Sequence, residues 1–339
     1  MLKKIKVGKK FIGPGEPTYI IAEIGINHEG DPDVCQKMIK EAAAAGADAI
    51  KLQTMDPDQN YSKETESYKL FKKAWLSSEQ TKNMFDFSRK ANIEPITTVG
   101  DFKTLEWVKK LNPNAYKISS GLIDHIPLIK EISSIKKPMI ISTGTADFDE
   151  IDKAFKTVKE SKNHKIIFLH CVSSYPTPLE QANLLFINNL KKIYGPLVGY
   201  SDHTLGDLAA ITSISLGSCV IEKHFTLDKS RNSFDHNISL EPKEFNSMVK
   251  KIRLIEKMLN TDALLKSSTE EENKKWMRRI VVAKDNLKDN KQIKMNDILF
   301  IRKPFSKKNI SASATKKIIG KKIKKAVKKF QPILWRNLN

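Results

Sequence analysis

Between residue 18 and about residue 260, short apolar runs rich in β-branched residues alternate with longer amphipathic runs. The first unit is sharply delimited: residues 19–26 (YIIAEIGI) are typical of a buried strand, and residues 48–54 (DAIKLQT) of another. The intervening run predicts a helix that begins with Asp31 as its cap and Pro32 in its first turn, and ends at Gly46. A strand–helix–strand unit of this kind places its two strands parallel.

Six further strands are predicted, at residues 94–98, 115–119, 138–142, 165–170, 197–201 and 218–224. Amphipathic helical patterns lie between them and after the last one. Eight strands, each followed by a helix, predict the α/β class and a closed (β/α)8 TIM barrel. A doubly wound open sheet is the alternative, but the GxGxxG turn usual after the first strand of such a sheet is missing.

The 339 residues exceed one barrel of about 250 residues, so a second folded unit is expected. We predict a catalytic barrel over residues 1–262, a polar and charged linker or exposed helix over 263–277, and a small, mostly β domain over 278–339. The pattern changes there from long alternation to short β-like pieces separated by turn residues.

The formal net charge of +20 raises the possibility of a nucleic-acid partner, but the lysines cluster in runs near both ends and aromatic RNA-binding motifs are absent. We therefore interpret the excess as solvated surface lysine and expect no nucleic-acid partner. The three cysteines lack metal-binding spacing, which favours a reducing compartment. No uninterrupted apolar run reaches membrane length, so a cytoplasmic protein with no membrane partner is expected.

Polar side chains gather at the predicted carboxyl ends of the strands, where TIM barrels hold their active sites. Side chains two apart on a strand share a face, which pairs Lys51 with Gln53, Ser201 with His203 and Glu222 with His224. Further polar residues close the other strands: Glu23, Asn27, His28, Thr97, Thr98, Lys117, Ser119, Ser120, Ser142, Thr143, His170, Ser173, Tyr175 and Asp202. All of them are expected to converge on one mouth.

His203 and His224 end the seventh and eighth strands, which are neighbours in a barrel, so their imidazoles are expected to approach each other. Two neutral imidazoles with oxygen donors nearby and open coordination positions suit a divalent transition metal. The alternative for each histidine is a hydrogen bond within the core or at the rim.

Lys51 and Lys117 follow apolar strand residues, where an unpaired ammonium group is costly. A bound anion would compensate both, and the hydroxyls around them resemble a cradle for a phosphate and a carboxylate. Ion pairs with Glu23 and Glu222 are the structural alternative. A Schiff-base lysine in a barrel aldolase is a third.

The chain resembles the sialic acid synthase family over nearly its whole length. The stretches that carry the resemblance occur in the family's order: IIAEIGINHEGD, GADAIKLQT, YKISSG, IISTG, HCVSSYPTP, GYSDHTLG, VIEKHFTLD and SFDHNISLEP. From RRIVVAKDNLKDNKQI onward the chain is similar, with more divergence, to the family's antifreeze-like (SAF) domain.

The resemblance implies a transferase that condenses phosphoenolpyruvate with an N-acetylated hexosamine, typically N-acetylmannosamine, to give a nine-carbon 2-keto acid and phosphate. It implies a divalent metal, commonly Mn²⁺ with Mg²⁺ or Co²⁺ as alternatives, held by His203 and His224. It also implies a domain-swapped homodimer in which the SAF domain of one subunit covers the barrel mouth of the other.

The resemblance also supplies roles for individual residues. Glu23 is the candidate base for the attacking water, and it contacts the sugar together with Gln53 and Asp235. The phosphoenolpyruvate site is lined by Lys51, Thr98, Lys117, Ser120, Ser142, Ser173, Tyr175 and Ser201.

Several positions depart from the family pattern. Leu122 stands where an acidic sugar contact is usual, with Asp124 two residues on, and Ser173 stands where an asparagine is common. Lys303, beside Arg302, occupies the place of the arginine that reaches the sugar. A legionaminic or pseudaminic acid synthase is therefore an alternative, and an inactive carbohydrate- or polyanion-binding barrel protein is another from a different class.

Overall fold

The structure is a computed structural model that describes residues 3–231, 234–259, 267–304, 306 and 308–339. The chain divides into two compact units, with the division between Asn260 and Thr261. Of the predicted linker 263–277, residues 263–266 lie outside the described residues, and a helix at Ser268–Met277 occupies most of the remainder. Among the described helices, none combines the length and the apolar character that a membrane span needs.

The first unit contains a closed barrel of eight parallel strands, and neighbours along the chain are neighbours in the barrel. The predicted (β/α)8 architecture is thereby confirmed. A two-stranded antiparallel hairpin, β1 (Ile5–Val7) and β2 (Lys10–Ile12), precedes the barrel. The barrel strands are β3 (Tyr19–Gly25), β4 (Ala49–Thr54), β5 (Glu94–Val99), β6 (Tyr116–Ile118), β7 (Met139–Ser142), β8 (Ile166–His170), β9 (Val198–Asp202) and β10 (Val220–His224).

Helices follow the strands around the outside of the barrel. They are α1 (Pro32–Ala44), α2 (Pro57–Asn60), α3 (Glu66–Ala74), α4 (Ser78–Lys90), α5 (Phe102–Leu111), α6 (Ile126–Ser134), α7 (Phe148–Glu160), α8 (Phe186–Tyr194), α9 (Leu208–Ser215) and α10 (Pro242–Met258). The predicted start of α1 is confirmed, because the Asp31 carboxylate accepts hydrogen bonds from the backbone N–H groups of Asp33 and Val34. Gly46, just past its end, has a φ of 94°.

The inside of the barrel is layered. At the amino ends of the strands it is apolar, with Ile21, Ile96, Ile140 and Ile167 among the buried residues, and the β1–β2 hairpin packs its own apolar side chains against this layer. At the carboxyl ends the inward positions are polar or charged. Apolar side chains therefore fill the barrel at the amino ends of the strands, and polar side chains that can bind ligands lie at the carboxyl ends.

The second unit has its own apolar core, which includes Val281, Leu287, Ile310 and Ile333. It contains α11 (Ser268–Met277) and an antiparallel pair, β11 (Arg279–Ala283) with β12 (Ile298–Arg302). The expected β structure in the C-terminal part is confirmed, and its strand pair is antiparallel.

Candidate active site

A cavity of about 330 Å³ opens at the carboxyl ends of the barrel strands. Lys51, Gln53, Ser201, His203, Glu222 and His224 all line it, as side-chain alternation predicts. The other lining residues are Glu23, Tyr61, Lys117, Ser119, Ser120, Gly121, Ser142, Thr145, Ser173 and Tyr175. The strand ends therefore build one mouth.

Two buried lysines and two buried glutamates form a charged layer at the base of this cavity. The Nζ of Lys51 lies 3.0 Å from Oε2 of Glu23 and 3.0 Å from Oε1 of Glu222. The Nζ of Lys117 lies 3.5 Å from the same oxygen of Glu222 and donates a 2.7 Å hydrogen bond to Oγ of Ser142. The lysines therefore form the ion pairs with Glu23 and Glu222 that were the alternative to an anion-binding role. The cavity beside these ion pairs is nevertheless open.

Register explains why these charges meet. Glu23 pairs with Lys51 across β3 and β4, and Glu222 pairs with Ser201 across β10 and β9. Because β10 and β4 flank β3 in the closed barrel, the Lys51 ammonium group contacts Glu23 on β3 and reaches across that strand to Glu222 on β10. Gln53, two residues after Lys51, donates a 3.0 Å hydrogen bond to Oε1 of Glu23.

The two glutamates differ in acidity. Burial raises the pKa of Glu23 to about 7, although the nearby Lys51 ammonium group acts in the opposite direction. Burial also acts to raise the pKa of Glu222, but Lys117 and Lys51 together hold it well below its ordinary value. Burial lowers the pKa of Lys117 to about 8. At neutral pH, Glu222 is the fixed anion, and Glu23 exchanges a proton readily.

The imidazoles of His203 and His224 face each other, with ring centroids 5.4 Å apart. Nδ1 of His203 lies 2.7 Å from the carbonyl oxygen of Val172 and therefore carries the proton, which leaves Nε2 with a free lone pair. Nδ1 of His224 is buried without a hydrogen-bond partner, and Oδ2 of Asp235 lies 3.5 Å from it. Burial lowers the pKa of both imidazoles, so both are neutral at pH 7.

No group of three or more His, Cys, Asp or Glu side chains within the described ranges has the arrangement of a complete metal site. The two imidazoles nevertheless offer lone pairs that hydrogen bonds do not consume. Such a donor pair fits a divalent ion that takes its other ligands from water or substrate.

The side chains of Ser173, Ser120 and Cys171 converge beside Gly144, which follows β7. A Cβ atom on Gly144 would stand 2.4 Å from Oγ of Ser173, 2.7 Å from Oγ of Ser120 and 2.9 Å from Sγ of Cys171. The missing side chain lets these groups converge, and Oγ of Ser173 is buried with no hydrogen-bond partner. A donor left unpaired in this way is available to an anion.

Six residues expected at the mouth do not line the cavity and are buried elsewhere: Asn27, His28, Thr97, Thr143, His170 and Asp202. Three of the residues to which the family resemblance gives roles also lie outside the cavity wall. Thr98 is buried in β5, and its Oγ1 has no hydrogen-bond partner. Asp235 adjoins His224, and burial raises the pKa of its carboxyl group to about 6. Lys303 belongs to the second unit, where its Nζ donates a 3.1 Å hydrogen bond to the carbonyl oxygen of Phe330.

The structure also shows where two residues that depart from the family pattern, or stand near a departure, are located. Leu122 packs against the apolar layer outside the barrel, and Asp124 is exposed. Neither lines the cavity.

Sequence reasoning missed three residues of the cavity wall: Tyr61, Gly121 and Thr145. All three lie in loops beyond the strand ends, so strand alternation does not identify them. Thr145 has a φ of 65°, which the sequence does not reveal. Tyr61 follows the single-turn helix α2. Its ring stacks on Phe71, with ring centroids 4.9 Å apart, and its hydroxyl donates a 3.5 Å hydrogen bond to Sδ of Met55.

Comparison with known proteins adds independent information. A family model described as the NeuB family matches residues 38–263. An uncharacterized protein of Methanocaldococcus jannaschii is 42% identical over 337 residues, which cover 99% of each chain. A Campylobacter jejuni protein named N,N'-diacetyllegionaminic acid synthase is 33% identical over 320 residues, which cover 90% of this chain and 95% of that protein.

Among solved structures, the crystal structure of an N-acetylneuraminic acid (sialic acid) synthetase from Leptospira borgpetersenii, in complex with citrate, matches with a TM-score of 0.76. Its sequence is 36% identical, and the match covers 80% of this chain and 94% of that one. The family model spans more than half of the chain, and the relatives align over almost its full length. The chain belongs to the NeuB family.

Proposed function

We propose that this protein is a metal-dependent synthase of a sialic acid or a related nonulosonic acid, which condenses phosphoenolpyruvate with an N-acyl hexosamine. The observation that carries the proposal is the juxtaposition, around one cavity of about 330 Å³, of two buried lysines and two facing neutral imidazoles. Family membership supports the same reaction class.

The lysine side of the cavity suits a small, multiply charged anion. Phosphoenolpyruvate brings a phosphate and a carboxylate, and Lys51 and Lys117 supply cationic donors for them. The hydroxyls of Ser120, Ser142 and Ser173 add uncharged donors, whereas the Ser201 hydroxyl, at the same cavity, donates a 2.9 Å hydrogen bond to Oε1 of Glu222. Because Glu222 already neutralises part of this charge, the site favours an anion without holding it irreversibly.

The imidazole side suits the acceptor sugar. His203 and His224 would hold the divalent ion, for which we propose Mn²⁺, and its chemistry would be to polarise the aldehyde oxygen of the open-chain sugar. Gln53 and Asp235 flank this side and present an amide and a carboxyl group to sugar hydroxyls. The acceptor itself stays open between N-acetylmannosamine and the sugars of the legionaminic and pseudaminic branches, because Leu122 supplies no acidic contact.

The reaction balances with groups already described. C3 of phosphoenolpyruvate forms a bond to the aldehyde carbon, and the aldehyde oxygen takes up a proton. Positive charge develops at C2, where water adds and gives a proton to the Glu23 carboxylate, a base whose pKa of about 7 suits this transfer. The tetrahedral intermediate then breaks the bond between C2 and the phosphate oxygen, and the proton of the remaining C2 hydroxyl passes to the departing phosphate, which leaves inorganic phosphate and the 2-keto acid.

The assembly is also part of the proposal. We infer a homodimer in which the C-terminal unit, of SAF type, covers the partner's barrel mouth with Lys303. Family resemblance alone supports this arrangement.

The test supplies purified protein with phosphoenolpyruvate, Mn²⁺ and a panel of N-acyl hexosamines, with phosphate release and product mass as readouts. We expect phosphate only when sugar and metal are both present, and one sugar that yields an acid of the summed mass. The variant His224→Ala should lose activity, whereas His164→Ala, at an exposed histidine that contacts Lys159, should retain it. Equal phosphate release with chelator and without an aldose would rule out the mechanism.

Borohydride reduction in the presence of substrate separates this proposal from the imine-forming aldolase alternative. An imine at Lys51 or Lys117 would be trapped as a covalent adduct that mass spectrometry detects. We expect no adduct, since both ammonium groups are engaged by carboxylates.

A further inference from the structure

The loop that follows β10, residues 225–239, carries Asp235 to the edge of the candidate site; of it, residues 225–231 and 234–239 are described. Among its described residues, the backbone hydrogen bonds that join the loop to the barrel strands lie at its base: the N–H of Phe225 donates to the carbonyl of Glu23, and the N–H of Leu240 donates to the carbonyl of His224. Side chains from elsewhere in the barrel must therefore hold the rest of this β10 loop.

Asn27 is the first of these anchors. It is 1% exposed and sits in the segment after β3. Its Nδ2 donates to the carbonyl of Phe225 at 3.1 Å and to Oγ of Ser239 at 3.0 Å, while its Oδ1 accepts from the N–H of Asp235 at 3.1 Å. Ser239 in turn donates to the carbonyl of Asp235 at 2.6 Å. One buried amide thus ties both ends of the loop to the backbone of Asp235.

Glu29 is the second anchor. Its Oε1 lies 2.6 Å from NH2 of Arg231 and 3.2 Å from Nε2 of His236, and its Oε2 lies 3.4 Å from Nζ of Lys73 on α3. His236 is buried and completes the chain through Nδ1, 2.7 Å from Oγ1 of Thr226. Three side chains, one from α3 and two from the β10 loop, therefore meet at the Glu29 carboxylate.

Neither anchor lines the cavity. What they fix is Asp235, whose Oδ2 lies 3.5 Å from the unpaired Nδ1 of His224. The lysines and serines of the opposite side have hydrogen bonds and ion pairs that do not involve this loop.

We infer that Asn27, supported by Glu29, is a positioning residue that sets the affinity for the acceptor sugar through Asp235 and leaves the anion side unaffected. This inference rests on the proposed function, since it names which of the two substrates the anchored loop serves. Loss of the amide frees the Asp235 backbone, and a carboxyl group displaced by about 1 Å loses much of its positioning value.

The experiment compares Asn27→Ala with Asn163→Ala in the full-length protein. Asn163 is a matched control: it is 2% exposed, and its amide likewise bonds backbone groups, those of Lys137 and Lys165, at the amino end of β8. Both variants should lower the melting temperature by similar amounts. Only Asn27→Ala should raise KM for the acceptor sugar, by about tenfold or more, with KM for phosphoenolpyruvate changed less than about twofold.

A second variant guards against a folding defect. Glu29→Gln keeps an acceptor for His236 and should shift KM for the sugar in the same direction by a smaller factor. Equal changes in both KM values, or an equal effect of Asn163→Ala, would show that Asn27 is merely structural.

Hydrogen exchange of residues 225–239 provides a readout that needs no turnover. Asn27→Ala should lose protection there while Asn163→Ala keeps it. If wild-type protein turns over no aldose, the proposed function fails, and exchange still decides whether Asn27 holds the loop. If exchange is unchanged while the wild type is active, the positioning role fails alone.

Discussion

At the scale of single residues, the candidate site depends on four buried charges whose protonation is linked. Glu23 and Glu222 compete for Lys51, and Lys117 pairs with Glu222 alone. Although burial acts to raise both, the pKa of Glu23 is raised and that of Glu222 is lowered because Glu23 contacts one lysine whereas Glu222 contacts two.

The pH dependence of kcat/KM for phosphoenolpyruvate should therefore be bell-shaped. Below pH about 7, Glu23 becomes protonated and no longer accepts the proton from water, so activity falls as pH falls. Above pH about 8, Lys117 loses its proton and with it the charge that attracts the anion, so activity falls again. Steady-state kinetics from pH 5.5 to 9.5, a range of about four units, would measure both limbs.

The variant Glu23→Gln should lower kcat by about 10²- to 10⁴-fold and remove the acidic limb. Glu94→Gln is the control, because burial also raises the pKa of this carboxyl group, but Glu94 begins β5 at the other end of the barrel. An acidic limb that stays in place in Glu23→Gln would exclude Glu23 as the base.

The sequence identified the buried lysines of the site, but it did not identify the groups that compensate their charge. The cost of burying an ammonium group correctly indicated that Lys51 and Lys117 have compensating charge nearby. It left open whether a ligand or a carboxylate supplies it. The contact of Lys51 with Glu222 joins β4 to β10, and only closure of the barrel brings those strands to either side of β3.

At the scale of elements, the barrel strands were predictable because each is a short apolar run with a sharp end. The predicted range 94–98 compares with Glu94–Val99 in the structure, and 138–142 with Met139–Ser142. The β1–β2 hairpin was not predicted, since its strands have three residues each and lie within a lysine-rich segment. Its apolar side chains become buried only once the barrel exists to receive them.

Gly199 in the middle of β9 shows how closely the strands pack. A Cβ atom there would stand 2.3 Å from the carbonyl oxygen of Val220 and 2.7 Å from Cδ2 of Leu169. Gly199→Ala should therefore lower the free energy of unfolding by about 1–3 kcal/mol, because backbone on the neighbouring strand must move. Urea denaturation followed by circular dichroism measures the difference.

Gly121→Ala is the matched control for this prediction. No heavy atom lies within 4 Å of the Cβ that it would add, and the backbone there has an ordinary φ. Its free energy of unfolding should stay within about 0.5 kcal/mol of the wild type. Equal destabilisation by both substitutions would mean that close strand packing at Gly199 is not the cause.

At the scale of the whole molecule, charge is distributed unevenly between the two units. After Asn260, 22 lysines and arginines stand against 7 aspartates and glutamates, so this quarter of the chain carries most of the net charge of +20. The sequence predicts the boundary between the two units, because the alternation of strands and helices ends there. Surface charge has no comparable periodicity, so a binding surface cannot be located from it.

Subunit complementation tests the proposed swapped dimer directly. Glu23→Gln removes a barrel function and Lys303→Ala removes a tail function, so each homodimer should have low activity. If the tail of one subunit completes the partner's barrel, a mixed dimer contains one site with both parts intact. Random mixing of equal amounts should then restore about a quarter of wild-type activity. A tail that serves its own barrel restores none, and light scattering that finds only monomers would exclude the dimer altogether.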